Sequence, residues 1–200
     1  MKLKIDLHVH TTGSRDSFIE PEQLPIILKN RGLDGVAITN HDAPAGFSSS
    51  EAIIIPGIEV TTREGHILAL GVSGTVERRR PADETIRLIQ SMGGVAVVPH
   101  PFDPVSPCIN LFRLNSRPDA VEVINSDALF FGLSTKYAMV AGSDSHIPET
   151  VGDAYTLIDS PSDNIKEILN AIRAGSVEPE GQPTSVSKKL LKWARTLQNL

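Results

Sequence analysis

All six histidines of this 200-residue chain lie at or just past the end of a short apolar run, or in a tight polar link beside acidic residues or glycine. In a parallel α/β barrel the loops that follow the strands build one functional face, so positions scattered in this way can converge.

The order of elements agrees with such a fold. Short apolar runs alternate with amphipathic stretches, as β/α units around a mostly parallel sheet require. Strands are predicted over 3–7, 35–39, 53–62, 66–72, 94–98, 120–124, 140–142 and 154–158, with helices over 20–31, 81–92, 128–137 and 164–174. Pro21 opens the first helix and Gly32 ends it. The stretch 43–52 is rich in Pro, Gly and Ser and reads as a loop or one short helical turn. Arg63, Glu64 and Gly65 form a tight link between two strands. The expected architecture is a small, irregular α/β barrel of seven or so strands, one domain over residues 1–175.

Residues 176–200 read as a linker followed by a basic amphipathic helix. Val186, Leu190, Ala194 and Leu197 recur on one helical face. That face is expected to pack on the barrel or on a second subunit, which makes a homo-oligomer through this helix one reading. Binding of nucleic acid or another acidic surface is the alternative.

Composition excludes several classes. The chain is 40% hydrophobic and 22% charged, an ordinary globular mixture. Its single cysteine, Cys108, cannot form an internal disulfide, and Lys2, Lys4 and Asp6 interrupt any leader-like apolar run, so a cytoplasmic location is expected. No window approaches the roughly 18 to 20 apolar residues of a membrane span. The net charge of −5 argues against a generally basic nucleic-acid binder. From Thr184 to Leu200 there are four cations and no acid, so the body that would hold divalent ions is more acidic than the whole.

The histidines fall in five clusters. In Asp6-Leu7-His8-Val9-His10, strand alternation points His8 and His10 to one side, where the pair can chelate an ion. Asp16 adds an anionic oxygen from the following loop, a position where aspartate also serves as a turn or helix cap. In Thr39-Asn40-His41-Asp42, His41 is the ligand candidate, while Asp42 either orients a ligand or caps a turn. In Gly57-Ile58-Glu59-Val60, the carboxylate must point away from its apolar neighbours into the barrel, where an unpaired charge is very costly. A metal would satisfy it, and its two oxygens can bridge two ions. Gly65-His66 follows, then Pro99-His100-Pro101, then Gly142-Ser143-Asp144-Ser145-His146, where Asp144 and His146 repeat the i, i+2 chelate.

These strings, in this order, resemble the motifs of the PHP (polymerase and histidinol phosphatase) family. The resemblance runs from residue 6 to about 175. It implies a distorted (β/α)7 barrel with up to three divalent ions, usually manganese, zinc or iron. It places His8, His10, Glu59 and Asp144 on one ion, Glu59, His66 and His100 on a second, and Asp16, His41 and His146 on a third. Mixed imidazole and carboxylate ligands suit such transition metals.

The chemistry implied is hydrolysis of a phosphate ester, mono- or diester, at a trinuclear site. Two ions roughly 3.5 to 4 Å apart clamp the phosphoryl group and lower the pKa of a shared water towards neutrality. Glu59, His8, His10 and Asp144 carry that step. Arg15 and Arg63 are near enough in sequence to contact the phosphate through a forked donor, solvent exposure being the alternative. The substrate expected is a small phosphate ester, a nucleotide or an oligonucleotide end. An amidohydrolase-like metal hydrolase competes, although no lysine falls between Lys29 and Lys136 to bridge its metals. A non-catalytic, RNA-associated subunit with a similar barrel would be expected to have lost ligands.

Overall fold

In the computed structural model, residues 1–101, 103–128 and 135–198 are described. Among them are nine strands: β1 (Lys2–Val9), β2 (Gly35–Ile38), β3 (Ile53–Thr61), β4 (His66–Leu70), β5 (Val95–Val98), β6 (Ala120–Asn125), β7 (Ala138–Gly142), β8 (Ala154–Asp159) and β9 (Val177–Gly181). They form one sheet in the order β7-β6-β5-β4-β3-β2-β1-β8-β9. Four α-helices accompany them: α1 (Leu24–Arg31), α2 (Ala82–Ser91), α3 (Ile165–Ala174) and α4 (Val186–Gln198).

The sheet curls until the loop after β7 meets the end of β1. Asp144 N donates to His8 O at 2.8 Å, and His10 N donates to Ser145 O at 2.9 Å. This nearly closed barrel is less parallel than the alternating pattern predicted. β4 runs antiparallel to both β3 and β5, and β8 antiparallel to both β1 and β9. The link from Thr61 to His66 is too short for the crossover that a parallel neighbour needs, so the chain can only turn back.

The strand count therefore exceeds seven. The segment 175–184, expected to be a linker, carries β9, which hydrogen-bonds along β8 from Ala154 to Ile158. The first helix is shorter than expected, because residues 21–23 form a 3-10 turn ahead of α1. The helix expected over 128–137 falls largely outside the described residues.

Apolar packing divides by face. Leu3, Ile5, Leu7, Ile55, Leu68 and Val97 fill the barrel, and Ile168, Leu169 and Ile172 of α3 close the end away from the histidines. Ile58, Val60 and Ile67 face outward onto Ile86 and Ile89 of α2. Val9, Val36 and Ile38 face Leu24 and Leu28 of α1. Glu59 shares the parity of Ile55 and so points inward, while its neighbours Ile58 and Val60 point out.

One irregularity aims the first two histidines. On β1, Asp6 is opposite Val36 and Val9 is opposite Ile38, so Leu7 and His8 together oppose Ala37. This bulge adds one residue and reverses the alternation beyond it. Leu3, Ile5 and Leu7 face the interior before it, and His8 and His10 face the interior after it. A similar shift between Glu122 and Ile124 of β6 turns Asn125 towards the same space.

Of the two placements expected for the apolar face of helix α4, packing on the barrel does not occur. Val186, Leu190, Trp193 and Leu197 are exposed. The cations face the barrel: Lys188 meets Asp153 at 2.5 Å, Lys192 meets Asp127 at 2.7 Å, and Arg195 forks onto Glu149 at 2.7 and 2.8 Å. The rim on which the helix lands is lined by these three acids, so charge pairing decides which face turns inward.

Candidate metal centre

The nine residues named from sequence lie in one connected cluster. Glu59 stands at its middle, 1% exposed. Its Oε1 is 2.8 Å from His66 Nδ1 and 3.2 Å from His100 Nε2. Its Oε2 is 3.0 Å from His41 Nδ1, 3.3 Å from His10 Nε2 and 3.6 Å from His8 Nε2. Asp144 Oδ1 faces the same two nitrogens of His10 and His8 at 3.3 and 3.5 Å. Asp16 Oδ2 lies 3.2 Å from His146 Nε2 and 3.7 Å from His41 Nε2.

The electrostatics follow from crowding acids and imidazoles in one place. Burial pushes the Glu59 and Asp144 carboxyls up, but the imidazoles around them, His8 foremost, hold both well below the usual carboxylate range. Burial works against the charged form of His41, yet hydrogen bonds to Asp16 and Glu59 raise it to about 10. His10 is lowered, by burial and by His146. Anionic charge in this pocket thus calls for positive charge in its immediate vicinity.

The donor set fits divalent cations. Among the described residues, His66 Nδ1 and His100 Nδ1 are buried without a hydrogen-bond partner, a costly state for a polar atom. His66 Nδ1 and Glu59 Oε1 approach to 2.8 Å without hydrogen-bond alignment, as two ligands of a common ion do. Three groups each bring ligand atoms within 4.8 Å of one another: His10, His41 and His146; His8, His10 and Glu59; His41, Glu59 and His66.

Around the cluster is a layer that the sequence reading missed. Glu122, buried in β6, places Oε1 3.1 Å from His8 Nδ1, and its Oε2 accepts from His100 N and Asn125 Nδ2. The available signal was a charged residue inside the apolar run Ala120-Val121-Glu122-Val123, the same argument that singled out Glu59. Asp6, also fully buried, accepts from Ser143 Oγ, Ser143 N, Gly152 N and His8 N, tying β1 to the loop after β7. Burial raises its carboxyl to about 6 against the opposing pull of those donors. Asn40 accepts from Thr11 N and Thr11 Oγ1 and so shapes the loop that carries Asp16. Asp42, which the sequence offered as a ligand-orienting group or a turn cap, accepts from Thr61 N at 2.8 Å, a turn-holding contact.

Backbone geometry is unusual at two of the nine. His100 has φ 30° and Asp144 φ 56°, in the left-handed region that side chains seldom occupy. His100 also precedes Pro101, which further narrows its options. Such strain persists where surrounding contacts hold it, here through Glu122 on His100 N and His8 O on Asp144 N. Arg15 and Arg63 are exposed, and Arg63 Nε donates to Arg79 O. Among the described residues neither arginine pairs with the cluster.

Comparison with known proteins follows the same line. A family model described as PHP-associated matches residues 125–177. A two-domain protein of Bacteroides vulgatus, described as containing a PHP-like metal-dependent phosphoesterase, superposes with a TM-score of 0.70 over 91% of this chain and 65% of its own, at 16% identity.

The chain belongs to the PHP family.

An uncharacterised protein of Methanocaldococcus jannaschii is 30% identical to this PHP chain over 141 aligned positions, covering 62% of the chain and 82% of the relative. Endonuclease Q, solved with a 27-mer duplex carrying an abasic lesion at its active site, shares the fold with a TM-score of 0.69 and 15% identity, over 92% of this chain and 60% of its own. The PHP chain thus spans about two thirds or less of these two solved structures. Among its described residues no helix is long and apolar enough to cross a membrane.

Proposed function

We propose that this PHP chain is a metal-dependent phosphoesterase that hydrolyses phosphate mono- or diesters. The observation that carries the reading is the division of Glu59. One oxygen faces His66 and His100 and the other faces His8, His10 and His41. Glu59 with His66 and His100 would hold one cation, Glu59 with His8, His10 and Asp144 a second, and Asp16, His41 and His146 a third. Mixed imidazole and carboxylate donors favour manganese, zinc or iron.

Bound there, such ions supply Lewis acidity, neutralising phosphoryl oxygens and activating water for in-line attack. The chain's own residues do the rest. Glu122 on His8 Nδ1 holds that ring so that Nε2 faces the ligand cluster. Ser14 Oγ, 3.3 Å from His10 Nδ1, does the same for His10 while accepting from His41 N. The β1 bulge and the strained His100 and Asp144 keep the donors in position before substrate arrives, so little reorganisation accompanies the reaction. Arg15 and Arg63, exposed near the cluster in sequence, would meet the phosphate.

The test is elemental analysis of the purified chain, paired with hydrolysis of nitrophenyl phosphate and bis-nitrophenyl phosphate with added manganese. Stoichiometric transition metal and turnover of at least one ester are expected. Glu59→Gln should lower turnover by more than about 100-fold, beyond the 10- to 100-fold typical of residues that only orient ligands. A chain with neither bound metal nor activity overturns the reading, and wild-type rates in Glu59→Gln overturn the bridging role.

A further inference from the structure

Of the cations on α4, Lys192 is placed unlike the others. Lys188 and Arg195 pair with Asp153 and Glu149. Lys192 Nζ lies 2.7 Å from Asp127 Oδ2 and also 3.3 Å from His146 Nδ1. His146 turns Nε2 towards Asp16, and its Nδ1 lies 2.9 Å from Asp144 O. With Nε2 serving as a ligand, the ring hydrogen sits on Nδ1 and is donated to that carbonyl. The ammonium then cannot donate to Nδ1. Among the described residues, Lys192 is thus held against His146 by a single carboxylate, with donors left over for an anion.

One turn of the same helix builds a wall beside it. Lys189, Lys192, Trp193 and Thr196, at i, i+3, i+4 and i+7, share one face and with Val105 and Ser106 line a cavity of about 320 Å³. Asp127, the partner of Lys192, also lines it, as does Asp103, whose Oδ1 accepts from Val105 N within its own loop. The volume is at the low end for small-molecule sites, room for one ring system with its sugar and not for a duplex. Trp193 is 62% exposed, an aromatic surface left in water next to two lysines. The hydroxyls of Ser106 and Thr196 can meet the heteroatoms on the edge of a heterocycle.

We propose that this wall is a nucleotide subsite: Lys192 takes a phosphate oxygen beside His146, and Trp193 stacks on the attached base. The ligand is a nucleoside monophosphate unit, free or at the end of a strand. A base stacked on an aromatic ring and a cation on its phosphate are the two elements by which single nucleotides are held. The subsite names a substrate class for the phosphoesterase reading above and rests on it.

Trp193 is the chain's only tryptophan, so its emission reports the subsite directly. The full chain is titrated with adenosine monophosphate, with a 5′-phosphorylated adenosine trinucleotide and with ribose 5-phosphate, and hydrolysis of each is measured with added manganese. Saturable quenching by the two base-bearing ligands is expected, with none from ribose 5-phosphate. Quenching by the mononucleotide alone assigns the subsite to free nucleotides, and tighter quenching by the trinucleotide assigns it to strand ends. Lys192→Ala should weaken nucleotide binding by about 10-fold or more and Lys192→Arg restore part of it. Trp193→Ala should raise KM for the nucleotides roughly 5- to 100-fold, the loss that one base–aromatic stack implies, and leave ribose 5-phosphate unaffected. Absence of quenching, equal quenching by ribose 5-phosphate, or an equal effect of Trp193→Ala on all substrates overturns the subsite while hydrolysis upholds the phosphoesterase. Quenching as expected with no hydrolysis of any ester leaves the subsite standing and overturns the phosphoesterase.

Discussion

Glu122 Oε1 lies 3.1 Å from His8 Nδ1, across the ring from the nitrogen that faces Glu59 and Asp144. The same carboxylate accepts from His100 N through its other oxygen. One buried acid on β6 thereby sets the orientation of a clustered histidine on β1 and holds the strained backbone of another after β5.

Removing that acid should loosen the metal without removing a ligand. Glu122→Ala is expected to weaken metal affinity by about 10- to 100-fold, the usual cost of losing a partner that orients a ligating histidine. Competition with a metal-chelating dye measures it, and unchanged affinity would show that His8 holds its position without Glu122.

Gly142 ends β7 where two site residues press against it. A Cβ there would sit 2.5 Å from His8 Cβ and 2.6 Å from Glu122 Oε1. Gly142→Ala should therefore cost about 1–3 kcal/mol of stability through overpacking, and lower bound metal by displacing His8. Urea unfolding and elemental analysis read the two effects. A variant matching wild type in both refutes the close fit.

Docking of α4 should depend on pH through Glu149. Burial raises this carboxyl, but the forked Arg195 hydrogen bond outweighs it and holds it below the ordinary value of 4.5. Because the folded-state pKa is depressed, the contribution is complete above 4.5 and is lost as pH falls through the lower folded value. Both partners are partly exposed to solvent, so the pair is worth about 0–1 kcal/mol. In chelator-treated protein, the difference in urea midpoint between wild type and Glu149→Gln should be present at pH 7 and close towards pH 3. A gap that stays constant across this range would remove Glu149 ionisation from the account.

The clustered side chains were legible in the sequence because their signals are local. His8 with His10, and Asp144 with His146, sit two apart. Glu59 lies between Ile58 and Val60, where a charge has to be neutralised. Glu122 carries the same local signal, yet no histidine adjoins it, and only the fold shows that His8 is its partner. Strand direction was not legible. β5 is buried at every position and β4 at every position but His66, so each reads as an apolar run without a marked face.

The sequence by itself determined which acidic and imidazole side chains would gather and that strand ends would assemble them. It did so because buried charges and chelating pairs are written in neighbouring residues. Only the tertiary structure decided how they are aimed and what stands beside them. The bulge that turns His8 and His10 inward exists only as a mismatch of register with β2. The inward face of α4 depends on the acids it meets, Asp127, Glu149 and Asp153, which lie 30 or more residues away along the chain. Amphipathicity marks two faces on a helix, and the surface on which it lands selects between them.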